Sequence, residues 1–392
     1  MIAPHAFRLF RNPQFGTPGT VVLPDGGFRR ARTEITAWPG YAATPLRDLP
    51  GLAAGAGLGV VRLKDEAGRF GLGSFKALGG AYAVAGVLAD ELARRGVAPN
   101  ASTADLVAGR YRAATARLTV TCATDGNHGR SVAWGARMFG AACVIFVHGG
   151  VTKGRIDAMA QYGADVRVVA GNYDASVREA ARIAGEKGWF VISDTAWEGY
   201  AEVPRAVMQG YRVMVDEAVA QWQGAPPTHV FVQAGVGGLA AAVSAHLRAS
   251  YQPSPRLVVV EPETAACLLA SAERGQLATI DGDLDTIMAG LACGAPSPLA
   301  WQELARASFA FMAVADAAAA ECMRLLAKAG IVAGESGVAG LAGLLLAAGD
   351  ADARVALGLD GDSRVLLFSS EGATDPAVYA ALVGVAPACA VL

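Results

Sequence analysis

HVFVQAGVGGLAAAVSAHLRA, residues 229–249, decides the fold class of this chain. Residues 229–233 form a short β-branched and apolar run, the pattern of a buried strand. The glycine turn at 235–238 ends it, and an alanine-rich stretch with helical spacing follows. Strand, glycine turn and helix within about twenty residues make the first half of a βαβ unit. Backbone N–H groups at such a turn point together toward an anion, so the segment reads as a phosphate cradle.

The same pattern recurs outward from this stretch. LTVTC (118–122), CVIFV (143–147), DVRVVA (165–170), RLVVVE (256–261) and RVLLFS (364–369) are apolar runs separated by helical stretches such as SVAWGARMFG and GRIDAMAQYG. Continuous apolar strands alternating with helices predict mostly parallel sheets covered by helices on both faces, an α/β fold. The stretch near 98–114 reads as an inserted loop or short helix, and GAPPTH near 224–229 as a turn or connection. With 392 residues the chain exceeds one simple core and fits two lobes.

Composition narrows the function. Hydrophobic residues make up 53% and charged residues 17%, with a formal net charge of −2. No basic surplus points to nucleic acid or an anionic membrane, so the balance favours a small-molecule substrate. The N-terminal residues show no apolar signal segment, and no apolar run reaches transmembrane length, so a cytoplasmic protein is expected. The six cysteines form no CxxC pair and the histidines are scattered, which predicts no metal site. Cys267 and Cys293 flank one loop region, and spacing leaves their pairing open.

Five motifs carry chemistry. In GSFKALGGAYAV (73–84), Lys76 stands among small and apolar residues where a helix begins. A desolvated lysine there is a nucleophile toward an aldehyde; an ordinary surface lysine at a helix start is the other reading. ATDGNHGRSVAWGA (123–136) presents Asp125 and Asn127 in a loop before a helix, fit either to face an anion or ring oxygen or simply to cap the helix. QAGVGGLAAAV (233–243) is the phosphate turn already described. It also reads G-x-G-x-x-A, with Glu261 ending the next strand, so a nicotinamide-dependent oxidoreductase competes. LLFSSEGATD (366–375) ends a strand in Ser369 and Ser370, hydroxyls able to meet a ring nitrogen. VISDTAWEGY (191–200) places Asp194 after a strand, either as a helix cap or as a carboxylate for an ammonium group or a proton.

Taken in this order, the motifs resemble the β-family, or fold type II, of pyridoxal-phosphate enzymes, which includes serine and threonine dehydratases. The resemblance implies a two-lobed α/β fold, with residues 1–75 and 193–392 forming a large cofactor-binding domain and 76–192 a small one. It implies pyridoxal 5'-phosphate held as a Schiff base on Lys76, within Ser74-Phe75-Lys76. It also implies Asn127 beside the ring oxygen, the phosphate held by Gly235, Val236, Gly237, Gly238 and Leu239, and Ser369 on the pyridine nitrogen. A homodimer acting on an amino acid is implied too.

Within the family, FKALGGAYA, ATDGNHGR, DTAWEGY, QAGVG, TIMAGLACG and GESG resemble the diaminopropionate ammonia-lyases. The dehydratases usually carry serine where this chain has Asp125, in the loop that receives the substrate carboxylate. A carboxylate there would repel that group but suits a substrate with two ammonium groups. The activity implied is α,β-elimination of 2,3-diaminopropionate to pyruvate and two ammonia. Lys76 would act as base toward the L-isomer and Asp125 toward the D-isomer, with Asp194 holding the β-ammonium or helping to orient the substrate. A hydroxyamino acid dehydratase is the nearest alternative. GESG (334–337) reads either as closing the site near the cofactor ring or the lobe boundary or as a tight glycine turn before a helix, and TIMAGLACG (286–294) as lining either the substrate side or an oligomer contact.

Overall fold

The computed structural model describes residues 1–17, 19–124, 126–171 and 173–387, so Asp125 and Cys389 lie outside the described residues. The α/β class read from the sequence holds. The chain divides into two compact units, one of residues 1–22, 43–74 and 214–392, the other of 23–42 and 75–213. Residues 23–42 and 193–213 thus fall with the second unit rather than with the large domain expected from the motifs.

The first unit holds seven strands: β1 (Phe7–Arg11), β2 (Leu46–Asp48), β3 (Val60–Asp65), then β8 (His229–Gln233), β9 (Arg256–Pro262), β10 (Ser308–Val314) and β11 (Arg364–Ser369). Their order across the sheet is β1-β10-β9-β8-β11-β3-β2. The five inner strands run parallel, and only the edge strands β1 and β2 are antiparallel. Every residue of β8 and β10 is buried. Helices cover both faces of a parallel sheet, so its inner strands read as unbroken apolar runs. One side of the core packs Phe231, Val258, Val260 and Met312 against Leu341, Leu344 and Leu345 of the helix Ala339–Gly349.

The second unit holds four parallel strands, β4 (Thr119–Ala123), β5 (Ala142–His148), β6 (Asp165–Val169) and β7 (Phe190–Val191), in the order β6-β5-β4-β7. The stretch near 98–114 forms two short helices, Thr103–Val107 and Arg112–Thr115, the first closed by a capping box between Ser102 and Asp105. The helix Asp25–Ile35 buries Phe28, Ala31 and Ile35, and Asp25 receives Arg212 at 2.7 Å.

An ion cluster lies inside the first unit. Arg69 donates to Glu66 at 2.8 Å and to Glu217 at 2.7 Å, and Lys64 meets Glu217 at 2.7 Å, all four buried. Two cations face two carboxylates, so no charge is left uncompensated away from water. No described helix is long and apolar enough to cross a membrane.

Candidate active site

The functional residues form two sets, one within each unit. In the second unit, Lys76 opens the helix Ala77–Arg94 at its N-cap. Its Nζ donates to Asp194 Oδ2 at 2.6 Å, and both side chains are about four-fifths buried, at 21% and 18% exposure. Phe75 and Tyr211 pack ring to ring at 4.5 Å, with the ammonium 5.5 and 5.8 Å from their centroids. Among the remaining lysines, Lys64 is spent in the ion cluster, while Lys153, Lys187 and Lys328 are exposed. Of the five lysines, Lys76 alone is neither fully buried nor exposed.

Asp194 follows β7 on a tightly tied loop. The Tyr200 hydroxyl donates to Val191 O at 2.7 Å and accepts from the Ser193 amide at 3.1 Å. Ser193 Oγ accepts from the Thr195 amide at 3.1 Å, and Trp197 stacks on Tyr200 at 3.9 Å. Burial pushes the Asp194 carboxyl up, but the adjacent Lys76 ammonium, through its charge and its hydrogen bond, more than offsets this. The group is held well below the usual carboxylate range.

Asn127 begins the helix Asn127–Phe139, and His128 follows it. The motif at 123–136 points to Asp125 and Asn127 but not to His128. The structure puts His128 Nδ1 3.9 Å from Asp194 Oδ2 and its Nε2 2.8 Å from Ile192 O. No local signal marks this histidine, because its partners lie more than sixty residues away in sequence.

The first unit assembles the other motifs. Gly237 takes φ +98°, a left-handed conformation, and opens the helix Gly238–Ser250 with no side-chain cap. The first amides of that helix therefore stay available to a phosphate. A side chain at Gly235 would press on Cys293 Sγ at 3.0 Å and Leu291 Cα at 3.2 Å. The turn is tight because backbone and thiol fill the space behind it. Among the described residues Cys267 and Cys293 form no disulfide.

Ser369 ends β11, which pairs with β8, so the hydroxyl and the glycine turn leave from neighbouring strand ends. Ser369 Oγ makes a long contact, 3.4 Å, to Glu371 O, whereas Ser370 Oγ is taken by Gln233 Nε2 at 2.7 Å. Of the two serines, Ser369 keeps its hydroxyl the less committed. The two stretches whose roles the sequence left open also converge here. Ser336 of GESG takes Glu371 Oε1 at its amide, 3.0 Å, and its Oγ accepts the Gly290 amide of TIMAGLACG at 3.1 Å.

Glu261, the acid of the dinucleotide fingerprint, is fully buried and accepts the amides of Leu268 and Leu269, each at 2.8 Å. Its carboxylate caps the helix Cys267–Arg274 and has no freedom to take a ribose hydroxyl. The nicotinamide reading loses its second residue. Among the described residues no group of three or more His, Cys, Asp or Glu could hold a metal ion.

Taken unit by unit, the groups are of the kinds that pyridoxal phosphate needs: the second unit has a sheltered lysine amine at a helix start, suited to an aldehyde, and the first has an uncapped glycine turn leading a helix, suited to a phosphate, beside a strand-end serine suited to a ring nitrogen. Residues 37–371 match the family described as pyridoxal-phosphate dependent enzyme, and the chain belongs to that family. Within it the chain belongs with the diaminopropionate ammonia-lyases. It is 40% identical to the diaminopropionate ammonia-lyase of Escherichia coli (strain K12) over 353 residues, 87% of each chain. It also superposes on the crystal structure of the holo ammonia-lyase from Escherichia coli with a TM-score of 0.89, at 36% identity over 98% of both chains. A structure of that enzyme with an aminoacrylate–pyridoxal-phosphate azomethine reaction intermediate matches with a TM-score of 0.87, at 36% identity over 96% of this chain and 97% of that one.

Proposed function

We propose that this protein eliminates ammonia from 2,3-diaminopropionate, D, L or both, and releases pyruvate and a second ammonia. The observation that carries the reading is the carboxylate of Asp194, held ionised 2.6 Å from the amine of Lys76. Once Lys76 is committed to the cofactor, that carboxylate is left without its cation. A diamino acid supplies a replacement in its β-ammonium; a hydroxyamino acid does not.

Pyridoxal phosphate, when bound, supplies the electron sink for charge developing at the substrate α-carbon. The chain supplies the rest. Lys76 would carry the cofactor covalently, with Phe75 beside it and Asn127 at the ring oxygen. Gly235, Val236, Gly237, Gly238 and Leu239 hold the phosphate through backbone amides. Ser369 would meet the ring nitrogen with a hydroxyl, which cannot hand over a full proton as a carboxylic acid would. The resulting weaker sink suits an elimination, in which the leaving group drains the developing charge. With its amine free, Lys76 would take the α-proton of the L-isomer, and Asp125 would take that of the D-isomer.

The unit of residues 1–22, 43–74 and 214–392 is, in this reading, the cofactor-binding domain. The protein works as a cytoplasmic homodimer; buried free thiols at Cys122, Cys143, Cys267 and Cys322 suit a reducing compartment. The test is a substrate panel, both isomers of 2,3-diaminopropionate beside D- and L-serine, with pyruvate and ammonia measured together. The reading predicts two ammonia per pyruvate from the diamine and faster turnover than with serine. Efficient turnover of serine and none of the diamine would make the protein a dehydratase.

A further inference from the structure

His128 is 93% buried, yet one of its two ring nitrogens goes unused among the described residues: Nδ1 has no hydrogen-bond partner. Its other nitrogen, Nε2, lies 2.8 Å from the carbonyl oxygen of Ile192. A carbonyl only accepts, so Nε2 carries the hydrogen. Burial pushes the ring toward its neutral form, against the pull of Asp194. A neutral ring with hydrogen on Nε2 has a bare lone pair on Nδ1. That lone pair lies 3.9 Å from Asp194 Oδ2, the same oxygen that takes the Lys76 ammonium. Two acceptors so spaced can both be reached by one ammonium nitrogen at ordinary hydrogen-bond lengths of about 2.8 Å.

We propose that His128 Nδ1 is the second acceptor for the β-ammonium of the substrate, and that its fixed tautomer selects an amine over a hydroxyl as leaving group. The inference rests on the diamine reading above and deepens it. In the elimination a base removes the α-proton, and the pair left on the α-carbon becomes the new bond to the β-carbon. The bond from the β-carbon to nitrogen breaks, and its pair stays on nitrogen, so an ammonium departs as neutral ammonia. That departure needs no proton donor. It needs acceptors that keep the nitrogen fully protonated until the bond breaks, and Asp194 with His128 Nδ1 supplies two. A hydroxyl leaving group has the opposite need, a proton to depart as water. Neither a carboxylate nor a bare imidazole nitrogen can give one, and the Ile192 carbonyl prevents the tautomer switch that would let His128 do so.

Two variants separate the acceptor from the scaffold. His128→Gln can place an N–H where Nε2 now sits and keep the bond to Ile192, but it puts no lone pair at the Nδ1 position. His128→Asn places an amide near Nδ1, can offer its oxygen there, and loses the Ile192 bond. The control substrate is β-chloroalanine, whose chloride requires neither proton nor acceptor. For the holoenzyme, the ratio of kcat/KM for diaminopropionate to that for β-chloroalanine should fall roughly tenfold to a hundredfold in His128→Gln, the span of one charge-assisted hydrogen bond. In His128→Asn the ratio should stay within a few-fold of wild type, even where stability drops. Nitrogen-15 NMR of histidine-labelled protein should show hydrogen on Nε2 and none on Nδ1 of His128. An unchanged ratio in His128→Gln, a ratio that falls equally in both variants, or a hydrogen on Nδ1 overturns the proposal while leaving the diamine reading intact. Wild-type protein that turns over β-chloroalanine but no diamine overturns both.

Discussion

Replacing Asp194 by asparagine keeps the shape of the side chain and removes the charge on which substrate choice depends. The Lys76–Asp194 contact is 2.6 Å long, and each side chain is only about one-fifth exposed. At an effective dielectric constant near 20, two unit charges at this distance attract by about 6 kcal/mol before desolvation is counted. The net worth of a charge-assisted hydrogen bond in a folded protein is smaller, roughly 1.5–3 kcal/mol. If the substrate β-ammonium takes the place of the lysine cation, losing the charge removes that amount from the transition state. The expected loss in kcat/KM for diaminopropionate is therefore roughly 10- to 150-fold. Serine carries no β-charge and should lose much less. Steady-state kinetics with pyruvate detection, run on both substrates with the same cofactor-loaded Asp194→Asn protein, reads the difference. Equal losses on serine and on the diamine would refute the reasoning and leave Asp194 a general structural residue.

Three further outcomes follow from the same geometry. Gly237→Ala forces an L-residue into a conformation with φ +98° and sets its Cβ 3.1 Å from Ala300 and Leu304. At about 1–2 kcal/mol for the conformation alone, binding titrations should show cofactor affinity roughly 5- to 30-fold weaker. Asp125→Asn should depress turnover of D-diaminopropionate more than that of the L-isomer, measured on the separate isomers; equal losses remove Asp125 from its proposed role as base. The Asp194 carboxyl is held below its ordinary value of 3.8, so in cofactor-free protein it stabilises the fold above that pH and loses this contribution as pH falls through the depressed value. Acid unfolding of cofactor-free Asp194→Asn should show a shallower loss of stability below about pH 3.8 than wild type.

Much of this was legible in the sequence, for identifiable reasons. Strands β8, β9 and β11 announce themselves because both faces are covered and nearly every residue is apolar. Lys76, Asp194 and the turn at Gly235–Leu239 sit at strand or helix ends, where a charged or glycine residue interrupts an apolar run. β10 is wholly buried, yet its sequence does not set it apart. It follows the helix Pro298–Ala307 directly and runs into the alanine-rich helix Asp316–Lys328, so no turn residues set it apart. Residues 23–42 carry no chemical motif, and their place in the second unit depends on contacts such as Arg212 with Asp25, formed across nearly two hundred residues. His128 was hidden for the same reason: Ile192 fixes its tautomer and Asp194 its surroundings, and neither is near it in sequence. The fingerprint ending in Glu261 misled because the spacing that suits a ribose also suits a helix cap.

The account depends most on which amine holds the cofactor. Holoenzyme reduced with borohydride, digested and mapped by mass spectrometry should carry the reduced pyridoxal phosphate on the peptide containing Lys76. The label on Lys64, Lys153, Lys187 or Lys328, or no label on a protein that still turns over the diamine, would contradict it.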